Sequence, residues 1–229
     1  MLNPNDAIPL AGDHSLAIGI LVAPDNPKQK HVALIFQDEN QQPMLVHLAW
    51  HKKVQVEEWN YAYCWIEFEK LARDLAETFA DWILISSPKI DGMPIPYSLV
   101  YEGERGFGLD GGVIDAGDGS GFTCATFILA LFNDFGMPLV NHVDWPVNRP
   151  GDSEWAYGML NSLVGYALKK DPMALPNFFQ QCLRVHTLKR FRPEEVLATA
   201  WLYEGVKLEF VDIEPVGQAL VEELRGIFS

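Results

Sequence analysis

Short apolar runs separated by turn-forming residues make up most of the first 68 residues of this chain. They cover residues 15–23, 31–36, 44–50 and 61–68. They are rich in Ile, Leu, Val and aromatic side chains, which favour β-strands. The cluster Pro24-Asp25-Asn26-Pro27 should end the first strand, because such residues rarely continue a sheet. The second and third runs flank a polar stretch, which predicts a hairpin.

Beyond residue 68 the apolar residues change to a helical period. Leu71, Leu75, Phe79 and Trp82 recur at spacings of three and four, which predicts an amphipathic helix over residues 67–85, ending at Ser86-Ser87-Pro88. Further helices are expected over residues 154–170, 193–203 and 216–227, and a short strand over residues 206–211. Strands followed by helices predict an α+β fold.

A glycine-rich segment precedes the most apolar of the predicted helices. Residues 103–121 hold eight of the 18 glycines, which predicts a long loop, and long loops in compact domains are usually functional. Thr123 or Ser120 can cap the helix that follows, and Gly136 with the proline after it should end that helix. Cys124 is therefore expected in the first turn.

A thiol at a helix amino terminus is a candidate nucleophile. The macrodipole and the unpaired N–H groups should lower the pKa of Cys124, and the same groups can hold an oxyanion. The alternative is that Cys124 is core filler, as expected for Cys64 and Cys182. Three widely spaced cysteines form neither a disulfide framework nor a CxxC metal site.

Two histidines flank the predicted hairpin and are candidates for the base. If Asp38-Glu39-Asn40 forms the tip, His31 lies directly opposite His47, and the two rings can hydrogen-bond. A one-residue shift caused by Pro43 would place the rings on opposite faces. The remaining histidines are expected at the surface: His14, His51, His142 and His186. His14 could take the place of His31 if the hairpin does not form as predicted.

The order of these residues resembles the circularly permuted papain-like hydrolases, the NlpC-type superfamily that includes lecithin-retinol acyltransferases. The resemblance rests on His31-Val32-Ala33-Leu34-Ile35, Leu45-Val46-His47-Leu48 and Cys124-Ala125-Thr126-Phe127, and it covers roughly residues 13–136. It implies that Cys124 is the nucleophile, His31 the base and His47 the residue that orients the base. The acyltransferase branch usually has Asn-Cys-Glu-His-Phe, which differs from this chain.

The resemblance implies an α+β papain-like core in which a small antiparallel sheet packs on the helix that bears the cysteine. We expect this core over residues 1–140 and a mostly helical extension over residues 141–229 of the same domain. The implied activity is that of a cysteine peptidase or amidase, which cleaves an amide or ester bond through a covalent acyl-enzyme. The alternatives are a thiol acyltransferase, a catalytically silent papain-like binding module and a purely structural α+β protein.

Charge and hydropathy restrict the partners and the compartment. Lys plus Arg number 17 against 31 for Asp plus Glu, a net charge of −14 that disfavours nucleic acid and anionic lipid. The apolar stretch 16–23 has no preceding cation, and no run approaches the roughly 20 residues that cross a bilayer. We therefore expect a cytoplasmic protein without membrane insertion. The hydrolase activity implied by the resemblance makes a small peptide or a lipid-like amide or ester the expected substrate.

No cofactor or metal is expected from the motifs. The stretch 110–118 resembles a calcium loop, but Glu is absent from the twelfth position counted from Asp110 or Asp115. His142 and Asp144 supply only two ligands, which do not make a metal site.

Overall fold

A computed structural model describes residues 1–4, 6–10, 15–23, 26–101 and 121–228, except for the side chains of residues 27 and 28. In these residues the chain forms one five-stranded antiparallel sheet with the strand order β4-β3-β2-β1-β5. The strands are β1 (Leu16–Ala23), β2 (Asn26–Gln37), β3 (Pro43–Trp50), β4 (Lys53–Glu58) and β5 (Tyr63–Glu67).

Six α-helices follow the strands within the described residues. They are α1 (Arg73–Ile90), α2 (Cys124–Asp134), α3 (Asp152–Lys170), α4 (Leu175–Leu183), α5 (Pro193–Leu202) and α6 (Phe210–Ile227). The predicted α+β class is confirmed. The papain-like core and its boundary at residue 140 stay predictions.

The strand predictions need three corrections. Strand β2 begins at Asn26, inside the cluster expected to lie between strands, because a bulge after Val22 lets Asn26 pair with Ala23. Strand β4 was not predicted, although Val54 and Val56 alternate with polar residues. Residues 206–211 are not a strand: Leu208 makes only an isolated bridge, and α6 begins at Phe210.

The prediction for α1 is wrong at both ends. Glu67 is the last residue of β5, and Pro88 lies inside the helix instead of ending it. A proline at this position removes the N–H that would bond the carbonyl of Leu84. The hydroxyl of Ser87 donates to that carbonyl at 3.0 Å, so the carbonyl keeps a partner and the helix continues to Ile90.

The two faces of the sheet are buried by different parts of the chain. One face packs on the helices, and its side chains belong to a large core that includes all of the apolar side chains of α2. The other face carries a smaller apolar cluster of Leu10, Ala17, Ala33, Ile35, Leu45, Tyr63 and Trp65. Helix α2 lies against β2 and β3, and α5 lies against β1, β2 and β5. The start of α2 is thus held beside the strands that carry the two histidines.

Candidate active site

Helix α2 begins at Cys124, as the sequence predicts. The hydroxyl of Thr123 accepts from the N–H of Thr126 at 3.1 Å, and the hydroxyl of Thr126 accepts from the N–H of Thr123 at 2.8 Å. This reciprocal capping box satisfies two N–H groups at the helix start. Gly136 adopts the left-handed conformation beyond the other end, with φ of 86°. Ser120, the other candidate cap, lies outside the described residues together with most of the glycine-rich segment and the calcium-like stretch.

Gly121 allows the chain to enter α2 against a neighbouring segment. A Cβ atom at this position would lie 2.0 Å from the carbonyl oxygen of Pro96, which no side chain tolerates. The close approach permits the N–H of Phe122 to donate to that carbonyl at 3.1 Å. A parallel bridge then joins Tyr97 to Phe122, two residues before Cys124. The close contact therefore holds Tyr97 beside the start of the helix.

The Cys124 thiol is buried, with 6% of the residue exposed. The backbone N–H groups of Val32, Ala125 and Cys124 approach its sulfur and favour the thiolate, but burial outweighs them and raises the pKa of Cys124. The predicted lowering of this pKa is therefore wrong. A helix start stabilises a thiolate only where the loss of hydration does not cost more.

The approach of Val32 to the sulfur follows from the way β2 and β3 separate. Their ladder extends only from Leu34, paired with Val46, to Gln37, paired with Pro43. Beyond it, β2 pairs with β1 and β3 pairs with β4. The N–H of Val32 lies past the end of this ladder and is directed to the sulfur of Cys124 instead.

The rings of His31 and His47 are in contact, as predicted, but the register is different. Nε2 of His31 lies 2.7 Å from Nδ1 of His47. The observed pairing of Leu34 with Val46, continued by one residue, places His47 opposite Ala33 and not opposite His31. The prediction of direct opposition is wrong by two residues. An even shift keeps both side chains on the same face, so the contact survives.

Glu57 extends the histidine pair and was missed from the sequence. Its Oε1 lies 3.3 Å from Nε2 of His47. The geometry of this contact falls short of a hydrogen bond, so Glu57 acts on His47 through its negative charge, which favours the tautomer that carries its proton on Nε2. Nδ1 of His47 then accepts from the Nε2–H of His31, which leaves the lone pair of His31 on Nδ1. The alternating Val54 and Val56 were the signal for β4 and hence for Glu57.

Both histidines are held in the neutral form. Burial and then the proximity of His47 lower the pKa of His31 to about 3. Burial also lowers the pKa of His47, and Glu57 offsets only part of that effect. At neutral pH the site therefore contains a thiol and two neutral imidazoles.

The Cys124 thiol lies on one face of the sheet, and the rings of His31 and His47 lie on the other. Val32 packs in the large core with Cys124, while its neighbour His31 contacts Tyr63 of the smaller cluster, with ring centroids 6.4 Å apart. In the described residues, the polar contacts that lower the pKa of Cys124 are backbone N–H groups and not an imidazole nitrogen. The thiol and both rings lie near the place where β2 and β3 separate.

Tyr97 completes the surroundings of the thiol and was also missed. Its residue is 5% exposed, and both the thiol and the backbone N–H of Cys124 act on the pKa of its hydroxyl. Burial is the largest effect, and it raises this pKa. The hydroxyl therefore keeps its proton at neutral pH and is a hydrogen-bond donor beside the sulfur.

The other candidate residues occupy separate places. His51 is buried, which corrects the prediction of a surface residue: its Nδ1 accepts from the N–H of Tyr97 at 3.0 Å, and its Nε2 lies 3.1 Å from Oδ2 of Asp171. His186 is exposed, His142 is partly buried and His14 lies outside the described residues. Cys64 is fully buried, and Cys182 packs against the core at its margin.

Within the described ranges, no group of three or more His, Cys, Asp or Glu side chains is placed to hold a metal ion. No helix among those residues has the length and apolar character needed to span a membrane.

No family model, curated protein or solved structure matches this chain.

The buried histidines predict a loss of stability in mild acid. The folded state resists protonation of His31 down to about pH 3, whereas the unfolded chain protonates this residue near its ordinary pKa of 6.5. The unfolded state therefore binds more protons below pH 6.5, and the free energy of unfolding should fall by about 1.4 kcal/mol per pH unit for His31 alone. The lowered pKa of His47 acts in the same direction.

Urea denaturation at pH 7, 6 and 5 measures this slope. His31→Gln should reduce the slope by close to one proton. His186→Gln, which removes an exposed histidine, should leave it unchanged. Equal slopes for the wild-type protein and His31→Gln would contradict the neutral, buried state of His31.

Proposed function

We propose that this chain is a cysteine hydrolase with a papain-like core, which cleaves an amide or ester bond through an acyl-enzyme on Cys124. The observation that carries the proposal is the chain of contacts from Glu57 through His47 to His31. These contacts leave the basic lone pair of His31 on Nδ1. The ring lies on the face of the sheet opposite to the Cys124 thiol, so the proposal requires the two groups to meet where β2 and β3 separate. A base oriented by a second polar group is the arrangement that nucleophilic catalysis requires.

The first half of the reaction transfers the acyl group to sulfur. In this proposal the Cys124 side chain first turns toward the gap between β2 and β3, because the thiol and the ring of His31 lie on different faces of the sheet at rest. Nδ1 of His31 then takes the thiol proton while the sulfur of Cys124 attacks the substrate carbonyl carbon, and the π electrons of that carbonyl move to its oxygen. The backbone N–H of Cys124 and the hydroxyl of Tyr97 donate to this oxyanion. When the oxyanion collapses, the bond to the leaving amine or alcohol breaks, and the leaving group takes the proton from His31.

The second half returns the free thiol. Nδ1 of His31 takes a proton from water as the water oxygen attacks the thioester carbonyl. The carbon–sulfur bond then breaks, the carboxylic acid is released, and the sulfur recovers the proton from His31. Because thiol and imidazole are both neutral in the resting site, the proton moves together with the attack and not before it. The negative charge of Glu57, which lies against His47, favours the imidazolium that forms in each half.

A catalytically silent papain-like module is the second candidate. The observation that favours it is the burial of Cys124 together with the raised pKa of its thiol. Such a module would use the same site for binding and form no acyl-enzyme. A thiol acyltransferase would form the acyl-enzyme but pass it to an acceptor other than water. The cytoplasmic location and the peptide or lipid-like substrate stay predictions from the sequence.

Trapping of an acyl-enzyme separates the hydrolase from the silent module. The protein is mixed with p-nitrophenyl acetate, quenched in acid within the first turnover and digested, and acetylation of each cysteine is measured by mass spectrometry. We expect acetyl on Cys124 and far less on Cys182, although Cys182 is the more exposed of the two. His31→Ala should remove the preference for Cys124. Equal acetylation of all three cysteines in the wild-type protein would contradict the hydrolase.

A further inference from the structure

Arg190 lies close to the candidate active site, although it is far from it in sequence. Its neighbour Phe191 contacts Tyr101, with ring centroids 5.4 Å apart, and Tyr101 contacts Phe122 at 6.2 Å. Phe122 precedes Cys124 by two residues. This row of rings places the segment that contains Arg190 beside the start of α2.

An ion pair joins the same segment to the strand that carries the base. Nζ of Lys30 lies 3.3 Å from Oε2 of Glu194, and Lys30 directly precedes His31 in β2. Residues 190–194 therefore contact the strand of His31 through Glu194, and Tyr101 links them to Phe122 at the start of α2. A charged side chain in this segment is well placed to meet a substrate.

The guanidinium of Arg190 is held in position but keeps an unused donor. It stacks on Trp155, 4.0 Å from the ring centroid, and Nη1 lies 3.2 Å from Oδ1 of Asp152. The Nε atom is buried and has no hydrogen-bond partner among the described residues. A buried guanidinium N–H without an acceptor costs free energy, so an oxygen ligand at this atom would be favourable.

The ion pairs around Arg190 leave an excess of positive charge. Asp152 is shared by Arg149, Arg190 and Arg192, and the only other carboxylate bonded in this cluster of described residues is Glu195, which binds Arg149. Within these ion pairs three cations face two carboxylates. Glu194 also acts on Arg190 but is itself paired with Lys30, so one positive charge is in excess, in a chain whose net charge is −14. The charge of Arg190 also lowers the pKa of both Cys124 and Tyr97, although burial outweighs it at each. The positive field therefore reaches the thiol.

We propose that Arg190 binds a carboxylate of the substrate, on the side of the scissile carbonyl that faces residues 190–194. The substrate class is then an amide or ester with a free carboxylate close to the bond that is cleaved, such as an acidic peptide or a peptide with its terminal carboxylate. A guanidinium fork matches a carboxylate in shape and charge. This inference rests on the proposed function, because it takes Cys124 as the nucleophile.

Alkylation of Cys124 by an anionic and a neutral reagent tests the inference. Iodoacetate carries a carboxylate and iodoacetamide does not, and both alkylate the same thiolate. The ratio of their rates at one alkaline pH therefore cancels any change in the thiolate fraction. We expect Arg190→Gln to lower this ratio at Cys124 by about tenfold, because a charge that acts in a partly buried site is weakly screened. Arg192→Gln removes another cation bonded to Asp152 and should leave the ratio unchanged.

The outcomes separate this inference from the proposed function. A Cys124 that reacts with both reagents, with the same ratio in the wild-type protein and Arg190→Gln, would overturn the carboxylate site alone. A Cys124 that reacts with neither reagent would overturn the proposed nucleophile and the inference together. If Arg190→Gln does not fold, the wild-type ratio at Cys124 is compared with that at Cys182. We expect a ratio about tenfold higher at Cys124, and equal ratios would overturn the site.

Discussion

Cys124→Ala should abolish the initial burst of p-nitrophenol that the wild-type protein releases from p-nitrophenyl acetate. The burst reports the acylation of one sulfur per chain, and alanine has no nucleophile. His31→Gln should keep the thiol but slow acylation by about 10²- to 10⁴-fold, the usual contribution of a positioned general base. Stopped-flow absorbance measures both the amplitude and the rate.

Two controls make this experiment specific. Cys182→Ala removes a partly buried cysteine at the core margin and should keep the full burst. Between pH 7 and 5 the acylation rate of the wild-type protein should stay nearly constant, because His31 protonates only near pH 3. Circular dichroism at each pH verifies that the protein is folded. A burst that persists in Cys124→Ala would place the nucleophile elsewhere.

Arg149→Met should destabilise the protein by about 3–5 kcal/mol, the usual cost of removing one partner of a buried ion pair. Arg149 binds both carboxylate oxygens of Glu195 and also donates to Oδ2 of Asp152 at 3.3 Å. The side chains of Arg149, Glu195 and Asp152 are 9%, 4% and 5% exposed. Methionine leaves Glu195 buried without its cation. Urea denaturation at neutral pH measures the loss.

The matched control is Arg225→Met. Arg225 also pairs with a carboxylate, with Nη1 2.6 Å from Oε1 of Glu222, but both side chains are about 70% exposed. Exposed pairs contribute about 0–1 kcal/mol, so the two variants should differ by several kcal/mol. Similar losses in both would mean that the Arg149 cluster contributes no more than an ordinary surface pair.

Local patterns were enough for the elements whose signals lie within a few residues. The start of α2 at Cys124 follows from Thr123 and Thr126, which are three residues apart and cap the helix by themselves. The α+β class followed from the change of apolar period. Element ends were less predictable: α1 continues through Pro88 because the Ser87 hydroxyl bonds the carbonyl that proline leaves without a partner.

The contact between His31 and His47 shows why an incorrect register still placed two residues together. Side chains alternate along a strand with a period of two, so the observed shift of two residues kept both rings on one face. The sequence did not locate Glu57 or Arg190. Glu57 needed β4 to be paired with β3, and Arg190 needed the packing of the segment before α5 against the start of α2.

By itself, the sequence determined the α+β class, the helix position of Cys124 and the shared face of the two histidines, because capping and side-chain alternation act over short distances along the chain. Only the tertiary structure decided the charge states in the candidate site. Burial raises the pKa of Cys124 against the helix terminus and lowers the pKa of His31 to about 3. Desolvation depends on atoms brought from distant parts of the chain, and no local pattern records it.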